Sequence, residues 1–406
     1  MHSLGGSAPR LARKMTTRWA LATVAAVLGY ASVTFSLAQT IMSQNPTIAH
    51  QLAPYDGRIT ARLASSLTVG EVSEAMRFRA DRLARLALRQ EPTAVTAVST
   101  LGINAETRGD KKTARRFFRY AFALSRRDLA TQLWDIEDTV ARGDVSGTLR
   151  HYDIALRTRP TLSKLLYPIL GSASTNPAIR DALVRTLATK PRWGDSFISY
   201  ISRNSSDLTS IAQLFVDLQR ARVPVPAGAQ TRVVNSLVTA GQLDEAWRYY
   251  ASIRSGATRA RSRDQRFTTY LEAPSLLDWV PINDGGIVAS VQDGAFNFIV
   301  PASVGGALLQ QVQLFPSGTY RIVGLSSGID DEESARPYWK LQCRNDNREL
   351  GRLVLPNSAQ ANGHFAGTLN IPAGCPVQTL ILMARPNAKV SGLAGRIERV
   401  MLEPAR

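Results

Sequence analysis

The chain has 406 residues, too many for one ordinary domain and enough for two sizeable cores. Its 44% hydrophobic and 20% charged residues exclude a disordered chain, and its two cysteines exclude a disulfide-dense mini-scaffold or a thiolate-rich metal protein. The formal charge is +17, from 49 Lys and Arg against 32 Asp and Glu, which argues against a basic partner. Most of the excess, +12, sits on residues 51–260, where it either faces anionic glycan or phospholipid or reflects an arginine bias with no anion partner.

At the N-terminus, Arg10, Arg13, Lys14 and Arg18 form a basic tail over residues 1–18, and no charge follows until Asp56. The apolar run of residues 19–38 spans about 30 Å as a helix, the thickness of a bilayer's hydrocarbon, and exceeds the core of an ordinary signal peptide. This predicts an uncleaved transmembrane anchor over residues 19–41. With the cations ahead of the span, the tail stays in the cytoplasm and everything after about Met42 crosses the membrane. The expectation is a single-pass inner-membrane protein with its bulk in the periplasm and the lipid bilayer as one partner. Ser36 and Ala38 are small enough for a secretory signal cut after Ala38, so that reading stays open; either way the chain is exported. Residues 42–57 read as a linker.

Residues 58–256 carry apolar positions three and four apart with Gly or Pro punctuation, the pattern of stacked helix pairs. Ala80, Ala87, Leu88 and Pro92 recur 34 positions on as Ala114, Ala121, Phe122 and Arg126, and again as Thr148, Ala155, Leu156 and Pro160. Leu101, Gly102, Gly109, Ala114, Phe118 and Ala121 stand at the spacings of the tetratricopeptide repeat, followed by Gly143, Tyr152, Ala155, Leu156 and Pro160, and later by Gly241, Ala246 and Tyr250. Here the sequence resembles that family. Small residues at Gly102 and Ala114 would let paired helices approach, Phe118 or Tyr152 would fill the gap to the next unit, and Asp110 and Asp144 would cap the following helices. The prolines between residues 161 and 230 make the pattern irregular there. The resemblance implies a protein or peptide partner on a solenoid surface.

Residues 257–272 are polar and read as a second linker. Beyond them, over residues 273–406, short alternating runs predict strands at 286–290, 295–300, 308–314, 320–325, 338–343, 350–355, 367–371, 378–384 and 396–402, an antiparallel sandwich. Leu309, Gln310, Val312 and Leu314, then Gly318, Thr319 and Tyr320, with Trp279 ahead of them and a closing strand at 395–403, resemble the jelly-roll carbohydrate-binding modules of families 4 and 9. That resemblance implies a polysaccharide partner. The acidic closing strand of the family is reduced here to Glu398, so no calcium site is carried over, and neither a metal nor a cofactor is expected. The fold class is therefore multidomain α plus all-β: an N-terminal transmembrane helix, a tetratricopeptide-like α-solenoid and a C-terminal jelly-roll β-sandwich.

Cys343 and Cys375 both fall in the sandwich, where an oxidising compartment would let them pair. Sugar binding needs aromatic faces beside polar side chains, and Trp279, Phe296, Phe298, Tyr338, Trp339 and Phe365 are the aromatic candidates. Strand alternation puts Trp339, Leu341 and Cys343 on one face and Tyr338 and Lys340 on the other, which assigns Trp339 to the core. The expected ligand-binding set is Tyr338, Arg336, Trp279 and Phe365.

No catalytic residue is assigned. Gly324, Ser326 and Gly328 satisfy the G-x-S-x-G string, but a nucleophile elbow needs a helix behind the serine and an acidic loop follows instead. Asp330, Asp331, Glu332 and Glu333 lack the alternating spacing of a calcium loop, and His2, His50, His151 and His364 are scattered. A pI near 10.4 would suit nucleic acid, but the anchor removes the chain from that compartment and the basic residues lack interleaved aromatics. The sequence thus predicts a membrane-anchored exocytoplasmic scaffold that binds a protein partner and glycan in cell-envelope or exopolysaccharide assembly or export. An envelope glycan-active enzyme with unassigned carboxylates and a purely protein-binding adaptor are the alternatives.

Overall fold

The structure, a computed structural model, describes residues 8–387 and 391–405. Residues 1–7 of the basic tail, with His2, lie outside the described residues, as do the side chains of the tail's four cations. The chain forms two compact units, Met1–Leu162 and Ser163–Arg406.

The first unit is helical: α1 (Ala8–Ile41), α2 (Pro46–Leu52), α3 (Gly57–Ser66), α4 (Glu74–Gln90), α5 (Val95–Thr107), α6 (Lys111–Leu124), α7 (Leu129–Ala141) and α8 (Val145–Thr158), closed by a 3-10 turn at Pro160–Leu162. Within α1 the segment Trp19–Ile41 is long and apolar enough to cross a membrane, and its apolar window is wholly exposed. The end of that helix is not free. Ala38 is fully buried in a cluster with Ala49, Ala53 and Ile59, and the Gln39 side-chain amide donates to Asp56 Oδ2 at 2.9 Å. The expected linker 42–57 holds the short helix α2, because Asn45 caps it with Pro46 in its first turn, and Asp56 at its end caps α3.

The helix pairs follow from local chemistry. Gly109 and Gly143 take positive φ, +79° and +68°, and end α5 and α7. The next residue caps the following helix: Asp110 Oδ1 accepts from the Thr113 amide at 3.0 Å and Asp144 Oδ1 from the Gly147 amide at 2.8 Å. Between α5 and α6 a Cβ added at Gly102 would stand 2.9 Å from the Phe118 ring, so the smallness of that residue sets the approach of the pair. Phe118, fully buried, stacks on Trp134 of α7 at 4.5 Å and carries the packing to the next pair.

The second unit begins with α9 (Ser163–Ala173), α10 (Pro177–Ala188), α11 (Gly194–Asn204), α12 (Leu208–Arg220), α13 (Ala227–Thr239) and α14 (Leu243–Ile253). It continues into strands β1 (Val280–Pro281), β2 (Val288–Gln292), β3 (Ala295–Val300), β4 (Gly306–Gln313), β5 (Gly318–Ser327), β6 (Tyr338–Cys343), β7 (Glu349–Val354), β8 (His364–Ile371), β9 (Gln378–Ala384) and β10 (Leu393–Pro404). The strands make two five-stranded antiparallel sheets, ordered β1-β4-β9-β6-β7 and β2-β3-β10-β5-β8. Each of the nine expected strands is present. The tenth, β1, is two residues long and pairs with β4 at the sheet edge, where a proline is tolerated.

The core between the sheets is aromatic: Phe267, Trp279, Phe296, Phe298, Trp339 and Phe365 are all buried there. Trp279 and Trp339 meet at 5.8 Å between ring centres, and Phe267 lies 5.6 Å from Trp279. Cys343 and Cys375 form a disulfide with Cα atoms 5.8 Å apart.

Residues 257–272 are a pinned strap in the structure. The Ser262 amide donates to the Leu402 carbonyl at 2.8 Å while Ser262 Oγ accepts from the Leu402 amide at 2.9 Å. The Val400 amide donates to the Gln265 carbonyl at 3.0 Å, and Phe267 enters the core. Arg263, buried, donates through Nε to the Leu277 carbonyl at 2.9 Å, through Nη1 to Gln313 Oε1 at 3.0 Å, and through Nη2 to the Val312 carbonyl. The same knot holds α14: Tyr250 donates to Asp278 Oδ1 at 2.9 Å, and Arg254 pairs with that carboxylate at 3.2 Å.

Candidate functional site

Alternation along β6 works as expected. Trp339 and Leu341 are fully buried and Cys343 nearly so, while Tyr338, Lys340 and Gln342 emerge on the outer face of the sheet. Register fixes their neighbours: Tyr338 lies opposite Met383 and Val354, and Lys340 opposite Ile381 and Arg352. Gln310 stands beside Ile381 on the next strand.

Tyr338 is framed by cations. The guanidinium carbons of Arg352 and Arg385 each lie 4.9 Å from its ring centre, within cation–π range. Arg352 also bonds both oxygens of Glu349, at 2.6 and 2.8 Å, and that hydrogen bond holds the Glu349 carboxyl below its ordinary value. Arg385 Nη1 donates to the carbonyls of Glu333 and Ser334, both at 3.2 Å, which fixes it beside the ring. Arg336 is half-buried and pairs with Glu333 at 3.4 Å, and its Nε is buried without a partner among the described residues. The platform is a partly exposed phenol with two guanidiniums over its ring, a cluster that can donate to oxygens.

The other two expected ligand residues lie elsewhere. Trp279 is 6% exposed and Phe365 4% exposed, both with their faces packed in the core, and the Trp279 indole N–H is spent on the Asp264 carbonyl at 3.1 Å. Sequence reasoning placed them at a site because an aromatic carries the same signal whether it stacks on sugar or on another aromatic. What reasoning missed is Arg352 and Arg385, which reach Tyr338 only through β-pairing on either side of β6. A second concavity was also missed. A cleft of about 930 Å³ is walled by the 254–271 strap, Asp278 to Asn283 and the edge strand β2.

The serine string has no elbow. Residues 324–327 belong to β5, and Ser326 is buried with its hydroxyl donating to the Gly363 carbonyl at 3.3 Å. Among the described residues no three His, Cys, Asp or Glu side chains converge as metal ligands.

No protein-family model and no curated protein matches the sequence. Among solved structures, the chain is similar to a structure titled "CBM4 structure and function", at 15% identity and TM-score 0.26, covering 36% of this chain and 99% of that one. It is also similar to the second carbohydrate-binding module CBM6 from Cellvibrio mixtus lichenase 5A in complex with cellotriose, at 12% identity and TM-score 0.20, covering 32% and 98%. A third similarity is to Naa15/Naa10 bound to HypK-THB, at 14% identity and TM-score 0.29, covering 55% of this chain and 36% of that one. At this level of likeness the functional reading rests on the chain's own residues.

Proposed function

We propose that this chain is a single-pass membrane scaffold whose bulk lies outside the cytoplasm, in the periplasm of a cell envelope. Its helices hold a protein partner, and the outer face of the sheet β1-β4-β9-β6-β7 holds glycan during polysaccharide assembly or export. It works by binding, without catalysis. The observation that carries the glycan reading is the Tyr338 platform, an aromatic face with the Arg352 and Arg385 guanidiniums 4.9 Å from its centre and Lys340 and Gln342 along the same strand face. Two further features support the address. The buried disulfide suits an oxidising compartment, and the exposed apolar stretch of α1 suits a bilayer.

The test is binding of the full chain, in lipid nanodiscs, to a panel of neutral and acidic polysaccharides. Tyr338→Ala should weaken the best neutral ligand by about tenfold or more, as removal of one stacking face does. Turnover of any polymer would favour the enzyme instead, and no binding to any glycan would leave a purely protein-binding adaptor.

A further inference from the structure

We infer that the cleft beside α14 is a second ligand site, built for an acidic oligosaccharide. The inference rests on the reading that the sandwich meets glycan, and extends it to a class of sugar and a separate place.

Charge points there first. The cleft is lined by Arg254, Arg261, Arg263 and Arg266 against two acids, Asp264 and Asp278. Both acids are already occupied. Asp278 takes Tyr250, Arg254 and Ser275, and Asp264 accepts from the amides of Thr268 and Thr269 and from the Thr268 hydroxyl. Arg263 is buried on carbonyl and amide oxygens, and burial lowers it only to about 10, so it stays cationic at neutral pH. Arg261 and Arg266 are exposed and make no ion pair among the described residues. The wall therefore presents uncompensated positive charge, with two guanidiniums free to take carboxylates.

The shape and surface say which anion. The volume of about 930 Å³ is that of a ligand cleft rather than a single-ion site. Tyr270 lines it at 84% exposure, a ring with both its stacking surface and its hydroxyl open. Thr269 and Gln292 also line the cleft, a hydroxyl and an amide suited to sugar hydroxyls, among apolar side chains such as Leu271 and Val291. The strap is fixed before any ligand arrives. Ser262 and Gln265 bond to β10, and Asp264 and Phe267 take positive φ, 44° and 53°, a conformation that non-glycine residues rarely hold and that turns Arg266 and Tyr270 away from the core that Phe267 enters.

The experiment is calorimetric titration of the full chain in nanodiscs with an oligogalacturonate hexamer, its fully methyl-esterified neutral counterpart, and a decamer of glutamate. The acid should bind at least tenfold more tightly than the ester and weaken as salt rises. Arg261→Gln with Arg266→Gln, and separately Tyr270→Ala, should each cost about tenfold or more. All of these positions are exposed or half-exposed, and an unaltered unfolding midpoint shows that the variants fold. Equal affinity for acid and ester, an unaffected arginine double variant, or equal capture of the glutamate decamer would each overturn the assignment. Loss through Tyr338→Ala instead would sink the cleft while leaving the sheet-face platform standing. Failure to bind any glycan would remove both.

Discussion

At Gly102 two opposing effects can be weighed. Replacing a mid-helix glycine by alanine gains about 1 kcal/mol of helix propensity, but here the new methyl would stand 2.9 Å from Phe118, a ring that is fully buried and stacked on Trp134. Forcing a group into such packing costs about 1–3 kcal/mol, so with the propensity gain subtracted Gly102→Ala should lower stability by up to about 2 kcal/mol in a denaturant titration. A neutral or stabilised variant would mean the ring has room to turn. Asp135 gives a residue-scale prediction in pH. Burial pushes its carboxyl up to about 7, with Asp138 on the same helix adding to the rise and Arg142 opposing it; His151 of α8 lies 3.7 Å away and is itself lowered by burial. In the unfolded chain it titrates near 3.8, so between about pH 4 and 7 the folded state binds more protons and loses stability as pH rises. Asp135→Asn removes that cost. The variant should exceed the parent by about 1–3 kcal/mol near pH 8 and match it near pH 4, as read by unfolding at the two pH values. A gain independent of pH would contradict the assignment.

Elements were legible where the signal is local, and illegible where a distant segment supplies the partner. The alternation of β6 separated Trp339 from Tyr338 without any structure, and the Gly-Asp pairs at 109–110 and 143–144 announced their turns and caps, because each depends on residues within a few positions. The strap 257–272 failed this reading for the opposite reason. A run of Arg, Ser, Gly and Thr has the composition of a linker, yet Arg263 is buried because carbonyls at Leu277 and Val312 and the Gln313 side chain receive its donors. Nothing within the strap announces those acceptors. Likewise Arg352 and Arg385 could not be paired with Tyr338 before the strand order was known. The Cys343–Cys375 bridge closes a separation of 32 residues, worth about 3–4 kcal/mol in the chain-entropy model. Cys343→Ala with Cys375→Ala should therefore lower the unfolding midpoint of the sandwich by a matching amount, and an unchanged midpoint would show that its reduced chain is already constrained.

At the scale of the whole molecule, fold class followed from periodicity, a 3.6-residue pattern giving way to a period of two near residue 260, and the helical and sandwich regions are both present. The helices divide between two compact units at residues 162 and 163, next to where the prolines begin to break the repeat pattern. The readings of anchor and signal differ in the fate of the N-terminus. Ala38, at the cut the signal reading would use, is helical and fully buried against Ala49, Ala53 and Ile59, packing that the anchor reading keeps in the mature protein. The protein recovered from membranes should retain the residues before Ala38, as intact mass would show, and a phosphatase fused after residue 406 should be active outside the cytoplasm. A mature chain beginning at Gln39 would overturn the anchor.

Because α1 ends inside the packing of α2 and α3, with Gln39 tied to Asp56, there is no slack between the apolar helix and the folded helices that follow it. A tethered domain on a loose leash samples every tilt, but this one, if α1 is its anchor as proposed, inherits the angle of that helix. On the anchor and partner proposed above, whatever the first unit held would be presented at a set height and heading, and lateral force on it would reach the apolar helix as torque.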